Sequence, residues 1–190
     1  MSLTNNYKSI LEFVEQYGSI SIEIAKDLFY NTKYGYDSSR RGLTSLVKGG
    51  YLKTSKDFVT DNKIYYNKKP ISSHKLMLLK LYAKIIALGG EVIEFKKEYK
   101  SKKSISDGLI IYKYNGSIKI ILIEIDINNK TKENKYIELY KSSYYQNIFG
   151  TFPRIIIIDK MAEKRKRKQI YKEIKFIYLE YEMEELKQYL

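Results

Sequence analysis

Apolar residues recur at helical spacing along the first fifty positions of the chain, then at shorter β-type intervals. Ile10, Leu11, Phe13 and Val14 fall together on one helical face, and that segment stops at Tyr17-Gly18. Ser21 can cap a second helix, with Glu23 in its first turn and Ile24, Ala25, Leu28 and Phe29 as its buried stripe. After a loop through Gly35, Asp37 can cap a third helix, SSRRGLTSLVKGG. In it Leu43, Leu46 and Val47 face inward and Gly49-Gly50 is the stop. Two short β-type runs follow, YLKTSKDFV and KIYYN, joined around Thr60-Asp61-Asn62.

Helix, helix, helix and hairpin is the order of a winged helix-turn-helix, whose third helix enters the major groove of DNA while the hairpin touches the backbone. With Leu43, Leu46 and Val47 inward, the residues placed to reach DNA are Ser39, Arg40, Arg41, Thr44, Ser45 and Lys48. Arginine suits bidentate contacts to guanine, whereas Lys48, Lys56 and Lys63 suit phosphates. The competing reading is a domain used for protein contacts, with Arg40 and Arg41 merely solvated.

Pro70 and Ser72-Ser73 mark a boundary, giving a winged helix over 1–70 and an α/β domain over 71–190. The second domain opens with a helix, HKLMLLKLYAKIIAL, whose stripe is Leu76, Leu79, Tyr82, Ala83 and Ile86. His74, near its start, reads as a surface or capping residue. A strand, EVIEFKKEY, precedes a hairpin turned by Asn115-Gly116, the strongest two-residue hairpin signal. With that turn, Tyr114 faces Ser117, Tyr112 faces Lys119, and Asp107 faces Glu124 with Cβ atoms about 5 Å apart. Asp126 projects from the same face as Glu124, so three carboxylates are expected to converge.

Like charges opposite one another destabilise a sheet unless a cation or a shared proton compensates. Mg²⁺ takes one or two carboxylates and keeps several waters, so Mg²⁺ or Mn²⁺ bound by Asp107, Glu124 and Asp126 is the expected cofactor. The bland alternative is a solvated sheet end in which these acids pair with Lys100, Lys102 or Lys103.

Beyond the hairpin, TKENKYIELYKSSYYQNIF reads as a helix, RIIIID as a buried strand and AEKRKRKQIYKEI as a basic helix. KFIYLEY and a short helix finish the chain. Helix, three strands, helix, strand is the core order of the PD-(D/E)xK, restriction-endonuclease-like fold, so the chain as a whole is expected to be α+β. In that family an Asp starts the second strand and an E-x-K triplet sits on the third. Asp107 and Glu124 fall on those positions, but Ser106 replaces the usual Pro and Asp126 stands where the lysine belongs. Lys130, or a lysine of the following helix such as Lys135, would have to supply the cation. The catalytic candidates are therefore Asp107, Glu124, Asp126 and Lys130.

A net charge of +13 in 190 residues points to nucleic acid, because Lys and Arg gain affinity by displacing phosphate counterions. With no cysteine and a single histidine, disulfides, thiolate zinc sites and multi-histidine sites are excluded. No Gly-rich phosphate loop is present, which leaves an ATP-driven motor unsupported. No apolar run spans a bilayer and no signal peptide opens the chain, so a cytoplasmic protein without a membrane partner is expected. Heavy use of Ile, Lys, Asn and Tyr fits A+T-rich codons of a low-GC bacterium or its mobile elements.

A tyrosine nucleophile at Tyr144-Tyr145 is disfavoured. Rolling-circle relaxases set two histidines and a metal beside such a residue, and recombinases need an Arg/His cluster. Core or surface tyrosines are the better reading. The run EKRKRK at 163–168 reads as a solvated or DNA-facing helix side.

Several segments occur in a telling order from about residue 7 to 160. ILEFVEQYGSI, SSRRGLTSLVKGGYL and VTDNKIYYN lie in the first half; SSHKL, EFKKEYK, SDGLIIYKYNG, IEIDINNKT, NKYIELY and GTFPRIIIID lie in the second. In these pieces the chain resembles the replication-relaxation family of plasmids, conjugative elements and phages. The resemblance implies a DNA-binding protein tied to replication and DNA relaxation, with a nuclease-like second domain and acidic positions at Asp107, Glu124 and Asp126. Double-stranded DNA, and a relaxase or replication protein, are the partners it implies; no feature sets the oligomeric state.

Two functions follow: a DNA-binding accessory protein with a degenerate nuclease domain, or an active metal-dependent nickase or endonuclease. The missing E-x-K lysine favours the first, and the three converging acids favour the second. The accessory protein is the preferred expectation.

Overall fold

The computed structural model describes residues 4–101, 104–166 and 174–190. The chain forms two compact units, Met1–Ala87 and Leu88–Leu190.

The first unit runs α1 (Asn5–Tyr17), β1 (Ser19–Ser21), α2 (Ile22–Phe29), α3 (Gly35–Lys48), β2 (Lys53–Lys56), β3 (Lys63–Tyr66) and α4 (Ser73–Ala87). Thr4 caps α1 by accepting from the Tyr7 amide, and Ser21 caps α2 by accepting from Ile24 at 3.2 Å, as its position predicts. Helix α3 starts at Gly35, two residues before the expected cap. Tyr34 is its N-cap and gives no side-chain bond, while Asp37 sits in the first turn and pairs with Arg40 at 3.2 Å. The early start is steric in origin: a Cβ at Gly35 would lie 1.9 Å from the Tyr30 carbonyl oxygen, so only glycine lets α3 begin so close behind α2.

The three strands form an antiparallel sheet in the order β1-β3-β2, with Ser19 opposite Tyr66 and Ser55 opposite Ile64. Strand β1 has no counterpart in the sequence reading, because three residues are too few to display a period. The core joins Ile10, Val14, Ile20, Ile24, Leu43, Leu46 and Ile64; Val47, expected inward, is half-buried.

The sequence places a boundary at Pro70, whereas the compact units divide after Ala87, so α4 belongs to the first. Lys80 of α4 meets Glu23 of α2 at 2.8 Å, and the rings of Tyr17 and Tyr82 lie 6.0 Å apart. Residues 67–72 connect β3 to α4 within this unit, and Leu76, Met77, Leu78, Leu79, Leu81, Ala83 and Ile85 of α4 are all buried.

The second unit runs β4 (Glu91–Lys100), β5 (Ile105–Tyr114), β6 (Ser117–Asp126), α5 (Asn134–Lys141), α6 (Tyr144–Phe149), β7 (Arg154–Asp159), α7 (Ala162–Lys166) and β8 (Phe176–Leu179), then a 3-10 helix, Glu184–Tyr189. The sheet order is β4-β5-β6-β7-β8; the first two pairings are antiparallel and the last two parallel. Asn115 and Gly116 have φ of 48° and 77°, the left-handed pair that a two-residue hairpin turn requires. They fix the expected register, with Tyr114 opposite Ser117 and Tyr112 opposite Lys119, continuing to Gly108 opposite Ile123.

The single helix expected after the hairpin is broken into α5 and α6. Ser142 Oγ bonds back to the Leu139 carbonyl, and Ser143 turns left-handed at φ 53°. Of the expected basic helix, Ala162–Lys166 is helical and residues 167–173 lie outside the described ones. One face of the sheet (Leu109, Leu122, Ile155, Ile157, Phe176 and Tyr178) packs with Tyr136, Ile137 and Leu139 of α5 and Tyr145 of α6. Tyr145 is a core residue here, its ring 5.8 Å from those of Phe149 and Phe152. Among the described residues, no helix is long and apolar enough to cross a membrane.

Candidate active site

Strand periodicity decides which side chains meet. On the face that carries Leu109, Leu122, Ile155 and Ile157, the alternate positions toward one end of the sheet are Asp107, Glu124, Asp126 and Asp159. Asp126 and Asp159 are partners in the parallel β6–β7 register, at the carboxyl ends of their strands. Four acids thus follow an apolar surface on adjacent strands, and cations from two different helices hold three of them, Lys135 pairing with Glu124 and Arg165 with Asp126 and Asp159.

The first group is built on Glu124. Its Oε1 accepts from Lys135 Nζ at 2.6 Å and from the hydroxyl of buried Tyr136, both in the first turns of α5. Lys135 Nζ also donates to the Ile105 carbonyl at 3.1 Å, which ties α5 to the start of β5. Asp107, half-buried, accepts the Ile125 amide through Oδ2 at 2.7 Å and so extends the β5–β6 ladder by a side chain. Burial pushes the Glu124 carboxyl above its ordinary range, and the nearby Asp107 charge adds to that rise; the bonds from Lys135 and Tyr136 pull against it. Burial, reinforced by the Glu124 charge, raises the Tyr136 hydroxyl, so it remains a neutral donor.

The second group is built on Arg165 of α7. Its guanidinium pairs with Asp126 Oδ2, with Asp159 at 3.2 Å and with Glu133 at 3.1 Å, and it donates to the Thr131 carbonyl at 3.2 Å. Thr131 returns to Asp126 through its amide at 2.9 Å and its hydroxyl at 2.6 Å, so both Asp126 oxygens are engaged. The Arg165 guanidinium stacks 5.0 Å from the Tyr178 ring, and the Tyr178 hydroxyl donates to Glu133 at 2.6 Å. Burial opposes the Arg165 charge, but the bonds to Asp126, Glu133 and Asp159 outweigh it and raise the pKa above that of a free guanidinium.

These contacts revise the expected trio. Asp107 and Glu124 stand together with Lys135, whereas Asp126 is drawn into the Arg165 clamp. Among the described residues, no group of three or more acidic, His or Cys side chains is arranged to hold a metal ion. Lys130 is exposed and makes no contact with the acids among the described residues, whereas Lys135 reaches Glu124. Of the lysines expected to pair with the acids, Lys102 and Lys103 lie outside the described residues.

Tyr136, Glu133, Asp159, Arg165 and Tyr178 were not foreseen as site residues. Asp159 had a signal, an acid closing the buried run RIIIID. Arg165 had none, because it sits in a charge run that reads as solvated or DNA-facing.

In the first unit, Arg40, Arg41, Thr44 and Lys48 are exposed along α3, as are Lys56 and Lys63 on the hairpin, while Ser45 is half-buried. Ser39 is a correction: it is fully buried, and its hydroxyl donates to the Gly35 carbonyl at 2.8 Å, so it cannot reach a ligand. Tyr65 of β3 links helix to hairpin. Its hydroxyl is raised by burial, with Thr44 and Arg40 of α3 pulling the other way.

No family model and no curated protein matches the chain, so the resemblance to the replication-relaxation family rests on its motifs alone. Among solved structures, the chain is similar to a repair endonuclease from Pyrococcus abyssi at 15% identity and a TM-score of 0.35, over 68% of this chain and 66% of that one. It is also similar to the restriction endonuclease FokI at 11% identity and a TM-score of 0.30, over 96% of this chain and 44% of that one. Likenesses this slight assign neither a fold nor an activity.

Proposed function

We propose that this protein binds duplex DNA through its first unit, used as a winged helix-turn-helix, and cleaves a DNA phosphodiester at the Asp107–Glu124–Lys135 group of its second. The observation that carries this reading is the lysine. The strand position that a PD-(D/E)xK site gives to lysine holds Asp126, yet Lys135 brings an ammonium to Glu124 from α5 at 2.6 Å. That contact supports the reading against the objection drawn from the sequence.

The donor set suits Mg²⁺ or Mn²⁺. Among the described residues only one oxygen of Asp107 and one of Glu124 is engaged, which leaves Asp107 Oδ1 and Glu124 Oε2 for a cation that needs one or two carboxylates and fills its remaining sites with water. Bound there, such an ion supplies Lewis-acid polarisation of a phosphoryl oxygen. The chain's own groups do the rest. Lys135 sets a positive charge where a phosphate would approach two carboxylates, lowering the repulsion between them. Tyr136 and Lys135 together fix the rotamer of Glu124, and the Ile125 amide fixes Asp107.

DNA as the substrate is supported by the net charge of +13 and by the exposed Arg40, Arg41, Lys48, Lys56 and Lys63. A role in replication and relaxation of plasmid, conjugative-element or phage DNA, alongside a relaxase or replication protein, rests on the motif resemblance.

A second reading is favoured by one specific observation. With both oxygens of Asp126 engaged by Thr131 and Arg165, a site that needed this third acid would be retired, and the protein would be a DNA-binding accessory factor. Supercoiled plasmid separates the two. The nuclease reading expects Mg²⁺- or Mn²⁺-dependent conversion to open circles, abolished by EDTA and by Glu124→Gln. Shifted bands without conversion under every condition would leave only the accessory role.

A further inference from the structure

The turn between β2 and β3 displays one phenylalanine entirely to solvent. Phe58 is fully exposed, the most exposed of the large apolar side chains among the described residues. Exposure of this kind on a loose loop would mean little, but this turn is braced. Buried Asp57, the neighbour of Phe58, accepts through Oδ2 from the Val59 amide at 3.2 Å, the Thr60 amide at 2.8 Å and the Thr60 hydroxyl at 2.8 Å. Its Oδ1 accepts from Ser73 at 2.5 Å, which anchors the turn to the start of α4. Its own amide donates to the Asn62 carbonyl at 2.9 Å, and its carbonyl accepts the Asp61 amide at 2.9 Å. Burial works against the Asp57 charge, yet the bonds from Ser73, Thr60 and Val59 hold its carboxyl below the ordinary range, so the brace is ionised at neutral pH.

A rigid turn that holds an aromatic ring away from its own core presents that ring to something else. The surroundings say what. Lys53, Lys56 and Lys63 are exposed on the two strands that carry the turn. The acid beside them, Asp61, is paired with Lys56 at 3.1 Å in an exposed contact of small net worth. A cationic hairpin with an apolar tip is the composition by which proteins enter the minor groove: lysines hold the phosphates while an apolar wedge parts two base pairs.

We propose that Phe58 is such a wedge, entering duplex DNA between adjacent base pairs and kinking it where the hairpin lands. The proposal rests on the DNA-binding reading of the first unit and is independent of whether the carboxylate site cleaves. Alternating adenine–thymine duplex is the preferred substrate class, because its pyrimidine–purine steps unstack and kink most readily.

The test uses the full chain and a short alternating adenine–thymine duplex, without divalent metal. A terminal dye reports binding by anisotropy, and an internal 2-aminopurine reports unstacking by its fluorescence. The wild type is expected to saturate the anisotropy and raise the 2-aminopurine signal severalfold. Phe58→Leu keeps an apolar wedge and should keep the rise. Phe58→Ala should still bind, about tenfold more weakly, with the rise lost. Saturated binding with no rise in the wild type, or an undiminished rise with Phe58→Ala, overturns the wedge and leaves the DNA-binding reading standing. Absence of binding by the wild type sinks both. A change in sedimentation with Phe58→Ala and none in the DNA signals would assign Phe58 to a contact between copies of the chain and overturn the wedge.

Discussion

Glu124 pairs a buried carboxylate with a cation that is itself partly exposed, and this asymmetry sets how the site responds to pH. Its folded pKa is raised above the unfolded value near 4.3, so ionising it costs the folded state stability as pH climbs through that interval. Lys135 limits the cost. Its removal in Lys135→Met lets the Glu124 pKa rise further, and the penalty appears only where the carboxylate would be charged. Urea unfolding is therefore expected to show a loss of roughly 1–3 kcal/mol at about pH 8 that shrinks toward about pH 5. An equal loss at both values would mean that Lys135 acts through packing instead of charge.

At the scale of elements, Arg165 fastens the ends of β6 and β7 and the start of α5 to α7, through Asp126, Asp159, Glu133 and the Thr131 carbonyl. Arg165→Met leaves two buried carboxylates without their cation and is expected to cost roughly 3–5 kcal/mol in urea unfolding. Arg165→Lys should recover only part of that, because one ammonium cannot reproduce a planar fork of donors. A change below about 1 kcal/mol for Arg165→Met would contradict the clamp.

These elements also mark how far the sequence could be read. The Asn115-Gly116 turn has a fixed stereochemical demand, and it set the β5–β6 register and with it the approach of Asp107 to Glu124. Lys135 was legible only as one option beside Lys130, because helical spacing cannot tell how a loop returns a helix to the sheet. Arg165 was invisible, since a basic run looks alike whether one of its members is buried or none is. Strand β1 was too short to show a period. Helix α4 was read as opening the second domain, because a proline and two serines resemble a linker when only their own chemistry is visible.

For the whole molecule, a strongly cationic chain carries exposed basic residues on α3 and the hairpin of one compact unit and a carboxylate–lysine group on the other, and the proposed function assigns DNA binding to the first and cleavage to the second. The central claim is that Lys135, supplied from α5, completes the site that Asp107 and Glu124 begin. The most direct measurement is the initial rate of open-circle formation from supercoiled plasmid in Mg²⁺ or Mn²⁺, comparing wild type, Lys135→Met and Lys130→Met. The account predicts that Lys130→Met keeps the wild-type rate and that Lys135→Met slows it by about a hundredfold or more. A wild-type rate in Lys135→Met, or a loss confined to Lys130→Met, would contradict it.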